Sequence, residues 1–179
     1  MRYLSRMHSM SIRFGTLQTS LGTLLLAARD ERVVHISLGD SAAALVDDLG
    51  HRERHRPVPL REAAADDLLH GWIRQVGSHL DDGAALPSLP LAMNGTSFQQ
   101  RVWEALRTVP AGQTVTYGAL AQAVGRPGAV RAVGAACGAN RIAVLIPCHR
   151  AIRADGTLGG FRWGLERKQA LLDRERHAG

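Results

Sequence analysis

From Ile12 to Leu38 the chain alternates short apolar runs with polar breaks: Ile12 to Phe14, Leu21 to Ala27 and Val33 to Leu38, parted by Thr19-Ser20 and by Asp30-Glu31-Arg32. Runs of that length between turn residues predict a three-strand antiparallel meander. Ser41 then stands as N-cap of a short helix with Ala42, Leu45, Val46 and Leu49 on one face and Gly50 as its expected stop. The polar run His51 to Arg56, closed by Pro57 and Pro59, predicts a loop. His51 and His55 keep the i,i+4 spacing of helical metal ligands, but the prolines and the lack of a third ligand favour a solvated charge run. Leu68, Leu69, Trp72, Ile73 and Val76 predict an amphipathic helix with Trp72 in the core.

Asp81-Asp82-Gly83, Pro87 and Pro90 break this pattern, and a domain boundary is expected near Asn94-Gly95. Beyond it the pattern turns helical. Ser97 and Gln100 have capping-box spacing, and Phe98, Val102, Trp103, Leu106 and Val109 give a first helix its buried face, ended by Pro110-Ala111-Gly112. Thr116 is positioned to cap a second helix through Leu120 and Val124, and Gly125-Arg126-Pro127-Gly128 makes a turn into a third, from about Ala129 to Gly138. Helix, short glycine-containing turn, helix is a helix-turn-helix signature. The third helix is built almost entirely of small residues and offers chiefly Arg131 as a long side chain. Two readings stand: a tightly packed internal helix with a surface arginine, or a slim helix docking in the DNA minor groove with Arg131 entering the base stack.

A chain of 179 residues is long enough to bury a core without staples. Its two cysteines, Cys137 and Cys148, form no disulfide framework and, with no secretory pattern, read as reduced thiols of a cytoplasmic protein. No apolar run approaches membrane-spanning length, so no membrane partner is expected. Met1 to Met10 reads as a disordered lead. The net charge of +6 is unevenly placed: residues 1–94 hold 10 arginines against 11 acidic residues, and residues 95–179 hold 12 basic against 5 acidic residues. Such asymmetry points to a polyanion partner for the C-terminal half.

The tetrad Pro147-Cys148-His149-Arg150 closes the apolar run Ile142 to Ile146, which predicts a buried strand stopped by the proline. Cys148 is thereby held at the edge of the core beside an imidazole. Burial alone would raise the thiol pKa, so a nucleophilic Cys148 needs a base or donors nearby, and His149 is the first candidate. A free cysteine packed as a small hydrophobe is the alternative.

Taken in order, Gly95 to Trp103, Thr116-Tyr117, Arg131-Ala132-Val133, Asn140 and Ile146-Pro147-Cys148-His149-Arg150 resemble the O6-alkylguanine-DNA alkyltransferase family. The resemblance implies an α+β fold: a ribonuclease-H-like α/β domain over residues 11–94 and a helical winged-helix/helix-turn-helix alkyltransferase domain over residues 95–179. It also implies repair by direct reversal, the alkyl group passing from O6 of a flipped-out guanine to Cys148 once per molecule, with O4-alkylthymine a second candidate substrate. His149 is carried over as the base acting through a water, Glu175 as the carboxylate that orients it, and Asn140 as a hydrogen-bond partner of the thiol. Tyr117, Arg131, Thr116, Arg126, Gly159, Gly160 and Phe161 are carried over as substrate- and DNA-binding residues. The implied partner is double-stranded DNA, bound by a monomer. Flipping is required on physical grounds, because O6 inside a duplex cannot meet a buried thiol.

Phe161 departs from the family, which commonly has there a tyrosine whose hydroxyl bonds the guanine leaving group, so slower transfer is expected. The zinc-binding cysteines of some members are missing, as is the four-cysteine cluster of members that regulate transcription; no cofactor and no metal are expected. A non-enzymatic lesion sensor of the alkyltransferase-like type would lack Cys148, and a Cys-His hydrolase would need turnover and an oxyanion site.

Overall fold

The computed structural model describes residues 11–53 and 58–177; the expected lead and His55 lie outside them. The chain divides into two compact units, one through Ala92 and one from Met93 onward.

In the first unit, β1 (Ile12–Thr19), β2 (Gly22–Arg29) and β3 (Arg32–Gly39) form the meander. Asp30 and Glu31, at φ 50° and 55°, make the two-residue turn that joins β2 to β3. β2 is central, and its run Thr23 to Ala28 is buried throughout, as a strand covered on both faces requires. Helix α1 (Ala42–Glu53) leads to β4 (Leu60–Glu62), which pairs parallel to β1 in the order β3-β2-β1-β4. Helix α2 (Leu68–Asp82) buries Leu69, Trp72, Ile73, Val76 and Leu80, and Asp67 caps it by accepting from the Leu69 amide at 3.0 Å.

Gly50 does not stop α1. The helix runs through it to Glu53, carried by buried Leu49 on one side and by an Arg52–Asp48 ion pair at 2.6 Å; these outweigh the cost of about 1 kcal/mol for an interior glycine. His51 is therefore helical, its Nδ1 2.8 Å from the Asp47 carbonyl.

In the second unit, α3 (Ser97–Arg107) is capped one residue earlier than its sequence suggests. Thr96 Oγ1 accepts from the Gln99 amide at 3.3 Å and Gln99 Oε1 accepts from the Thr96 amide at 2.9 Å, while Gln100 donates to the Met93 and Gly95 carbonyls. Both pairs have the same spacing, so spacing alone did not separate them. β5 (Val115–Thr116) precedes α4 (Tyr117–Ala123) and pairs parallel with β6 (Ala151–Ile152). After the turn comes α5 (Val130–Gly138). Trp103 is buried and donates through Nε1 to the Ala136 carbonyl at 2.8 Å, tying α3 to α5. Helix α6 (Leu165–His177) closes the unit.

The run Ile142 to Ile146 is buried, as expected, but it is not a strand. It folds as a compact turn in which the Leu145 amide donates to Ala143 at 2.7 Å and the Ile146 amide to Ile142 at 3.1 Å. Five apolar residues fit any fully buried segment. Val144 sits at φ 69°, a left-handed conformation that a β-branched residue adopts only when its surroundings impose it.

Candidate active site

The turn delivers Cys148 into a 3-10 turn (Cys148–Arg150) whose three residues are all buried. Asn140, fully buried just past α5, organises the approach. Its Oδ1 accepts from the Ile142 amide at 2.9 Å, and its Nδ2 donates to the Ile146 carbonyl at 2.9 Å and to Cys148 Sγ at 3.2 Å. One side chain thus ties both ends of the turn and aims a donor at the sulfur. Burial raises the Cys148 pKa, and the Asn140 bond and the Lys168 charge oppose it without overcoming it. The resting thiol is protonated, so a reaction there must remove its proton.

His149 Nε2 lies 2.8 Å from Glu175 Oε1, both buried. Burial would raise the Glu175 pKa, but hydrogen bonds from His149 and Arg150 and their charges prevail and bring it to about 2. An ionised carboxylate only accepts, so Nε2 carries the proton and Nδ1 is the basic nitrogen. Arg150 completes the arrangement: Nε donates to Oε2 at 2.9 Å, Nη2 to Oε1 at 2.8 Å and Nη1 to the Val109 carbonyl at 2.5 Å. The Gly112 amide adds a bond to Glu175 Oε2 at 3.2 Å.

Cys148 lines a cavity of about 420 Å³ bounded by Tyr117, Arg131, Arg153, Gly159, Gly160 and Phe161, among others. Phe161 meets Trp163 edge-on at 5.1 Å and His149 at 6.4 Å. Gly159, at φ 67°, lies so close to Tyr117 that a Cβ there would stand 2.9 Å from the phenol oxygen. Thr116 and Arg126 sit elsewhere. Thr116 Oγ1 caps α4 by accepting from the Ala119 amide at 3.0 Å, and Arg126 is exposed in the turn before α5.

Residues 97–177 match the family described as 6-O-methylguanine DNA methyltransferase, DNA binding domain. Over 165 residues the chain is 36% identical to the methylated-DNA–protein-cysteine methyltransferase of Mycolicibacterium paratuberculosis, covering 92% of this chain and 93% of that protein. The chain belongs to the methylated-DNA–protein-cysteine methyltransferase family. It is also 44% identical over 168 residues to the bifunctional transcriptional activator/DNA repair enzyme Ada of Escherichia coli, covering 93% of this chain and 46% of that protein. The chain thus spans about half the length of that relative. The crystal structure of Mycobacterium tuberculosis OGT in complex with DNA superimposes with a TM-score of 0.78 at 33% identity, covering 93% of this chain and 94% of that one.

In this methyltransferase-family chain Arg150 ends the very tetrad that carries the cysteine, yet nothing local in the sequence shows that it reaches Glu175 and the Val109 carbonyl. Nor does the sequence show that Lys168 ties the Ala151, Leu158 and Gly160 carbonyls together. The one signal is that Lys168 is the sole lysine among 22 lysine and arginine residues. Among the described residues no three His, Cys, Asp or Glu side chains group to hold a metal ion, and no helix is long and apolar enough to cross a membrane.

Proposed function

We propose that this chain repairs O6-alkylguanine in double-stranded DNA by moving the alkyl group to Cys148, irreversibly and once per molecule. The observation that carries this reading is Cys148 Sγ at the wall of a cavity, with the Asn140 donor on it and the His149–Glu175 pair adjacent in the chain. The S–C bond forms as the O6–C bond breaks. The thiol proton passes through a water to His149 Nδ1, and the guanine leaving group takes up a proton. Glu175, ionised at every working pH, holds His149 in the required tautomer and stabilises the imidazolium that forms. Asn140 Nδ2 stabilises the developing thiolate.

The face of α5 supports binding of DNA through its minor groove. Val133, Ala136 and Cys137 point inward, whereas Val130, Arg131, Ala132, Ala135 and Gly138 are exposed, so beyond Val130 at its start the outer face is built of small residues and one guanidinium. A slim face approaches a narrow groove closely, and Arg131 fills the stack left by the flipped base. Tyr117, Gly159, Gly160 and Phe161 then bound the nucleotide pocket. The two free thiols suit the reducing cytoplasm, where we place this work.

The test is intact and peptide mass spectrometry after incubation with duplex DNA bearing one O6-methylguanine. One methyl per molecule on Cys148, absent from Cys148→Ala, is the expected result. An unmodified Cys148 on protein that still binds the lesion would overturn the transfer reading.

A further inference from the structure

Arg131, Arg153 and Arg162 all bound the cavity, and two of them are already engaged: Arg131 on the outer face of α5, and Arg162 through an Nη1 bond to the Gly138 carbonyl at 2.9 Å. Arg153 is the third. β5 and β6 run parallel with Val115 opposite Ala151 and Thr116 opposite Ile152, so Tyr117 and Arg153 come next on the two strands and leave their ends as neighbours. After Arg153 the chain turns back tightly, its amide donating to the Thr157 carbonyl at 2.9 Å and the Gly156 amide to its carbonyl at 3.1 Å. Asp155, the nearest carboxylate in sequence, is taken by Thr157, whose amide and hydroxyl donate to Oδ1 at 3.0 and 2.7 Å. Among the described residues no hydrogen bond or ion pair takes up the Arg153 guanidinium, and the residue is exposed.

We infer that Arg153 binds a phosphodiester flanking the flipped nucleotide, holding the backbone at the mouth of the cavity while the base passes Tyr117 toward Cys148. The inference rests on the function proposed above for Cys148. A nucleotide swung out of its stack brings its two flanking phosphates to the rim of the pocket that takes its base. A guanidinium there presents paired donors to the phosphate oxygens, and an unpartnered one gives up no protein contact to do so. Burial, and next the two thiols, raise the Tyr117 pKa, and the Arg153 charge opposes them, so the guanidinium is felt by the phenol at the cavity wall. Arg131 belongs to α5 and Arg153 to the turn after β6, so the cavity is bordered by cations from two separate elements. One replaces the base in the stack; the other holds the backbone to which that base remains attached. A phosphate contact adds affinity without reading sequence, which suits a protein that must act wherever a lesion falls.

The test is gel-shift binding in a Cys148→Ser background, where the lesion is not consumed. The duplexes carry one O6-methylguanine with a neutral methylphosphonate at the phosphate on its 5′ or its 3′ side. Arg153→Met should weaken lesion binding about tenfold, the worth of one guanidinium–phosphate contact, and binding of undamaged duplex by less than about twofold. One of the two methylphosphonates should cost the protein with Arg153 about tenfold and the Arg153→Met variant almost nothing. Arg153→Lys, which keeps a point charge without the fork, should recover part of the lost affinity. Equal weakening on lesion and undamaged duplex, or a methylphosphonate penalty that is the same with and without Arg153, overturns the inference. So does a protein with Arg153 that is indifferent to both methylphosphonates, a result that needs no Arg153 variant to fold. With Cys148 in place, iodoacetamide should alkylate it at the same rate in Arg153→Met; a changed rate would trace the loss to a disturbed cavity and overturn the inference too. Failure of the wild type to take up methyl from DNA would instead sink the transfer reading, while the binding measurements still judge Arg153.

Discussion

Glu175 Oε1 receives His149 Nε2 at 2.8 Å and Arg150 Nη2 at 2.8 Å, so one buried carboxylate both aims the candidate base and neutralises a buried guanidinium. The two duties separate in their consequences. Holding His149 affects chemistry, whereas holding Arg150 affects the fold, because Arg150 reaches from the 3-10 turn to the Val109 carbonyl beyond α3.

Stability should therefore fall in acid. The Glu175 carboxyl titrates at about 2 in the folded chain, against an ordinary value of 4.5. A depressed carboxylate contributes its stability in full above the unfolded value and loses it as the pH falls toward the folded one; here that is about 3 kcal/mol, shed between roughly pH 4.5 and pH 2. Urea unfolding followed from pH 7 downward should show the loss, and Glu175→Gln should flatten the curve in that window. The same variant should be less stable at pH 7 by about 3–5 kcal/mol, because Arg150 is left buried without its counter-charge. A Glu175→Gln protein with wild-type stability at pH 7 would show that Arg150 finds another partner.

Asn140→Ala removes a donor to the sulfur and two anchors of the 142–146 turn at once. Transfer should slow about 10²-fold, in the range of losing one oriented donor at a reacting atom, and stability should fall by about 2–3 kcal/mol, as buried backbone groups lose their partners. Single-turnover transfer with labelled DNA measures the first and thermal unfolding the second. Loss of stability with no change in rate would reduce Asn140 to a fastener of the turn.

How much of this was legible in the sequence depended on whether the information was local. The meander was, since strand length and turn residues are short-range properties, and so was Thr116 as the cap of α4. The pairing of β4 with β1 was not, because a three-residue strand carries no periodicity. Hydrophobicity marks the Ile142 to Ile146 run as buried but does not give its shape, since it reports burial and not φ, and Val144 violates the usual φ of its type. Glu175 is the clearest case of information held elsewhere. In the run Asp173-Arg174-Glu175-Arg176 nothing local separates it from its neighbours; only α6, by turning one face inward, buries Glu175 and leaves Arg176 exposed.

Phe161 packs T-shaped against both His149 and Trp163, and offers no hydroxyl to the cavity. Phe161→Tyr keeps the ring and adds a donor at the leaving group, so stopped-flow transfer should quicken about tenfold, the worth of one such hydrogen bond. If the rate does not change, the leaving group draws its proton from another donor and Phe161 serves as an apolar wall alone.

Gly159 should tolerate no side chain. At φ 67° an alanine pays about 1–2 kcal/mol for its left-handed backbone, and its Cβ would stand 2.9 Å from the Tyr117 phenol oxygen and 3.0 Å from its Cε2. One of the two must move. The loop cannot retreat easily, because Lys168 holds the carbonyls on either side of Gly159. Tyr117 is the freer partner, being only half-buried at the start of α4, so the ring should swing from its place in the cavity. Gly159→Ala should therefore transfer methyl at least tenfold more slowly, a barrier change of about 1.4 kcal/mol, while binding of undamaged duplex through α5 changes little. Gel-shift binding of undamaged duplex beside single-turnover transfer separates the two effects. Equal losses in both would mean that the displaced ring disturbs α5 as well, and transfer at the wild-type rate would mean that Tyr117 has no part in seating the base.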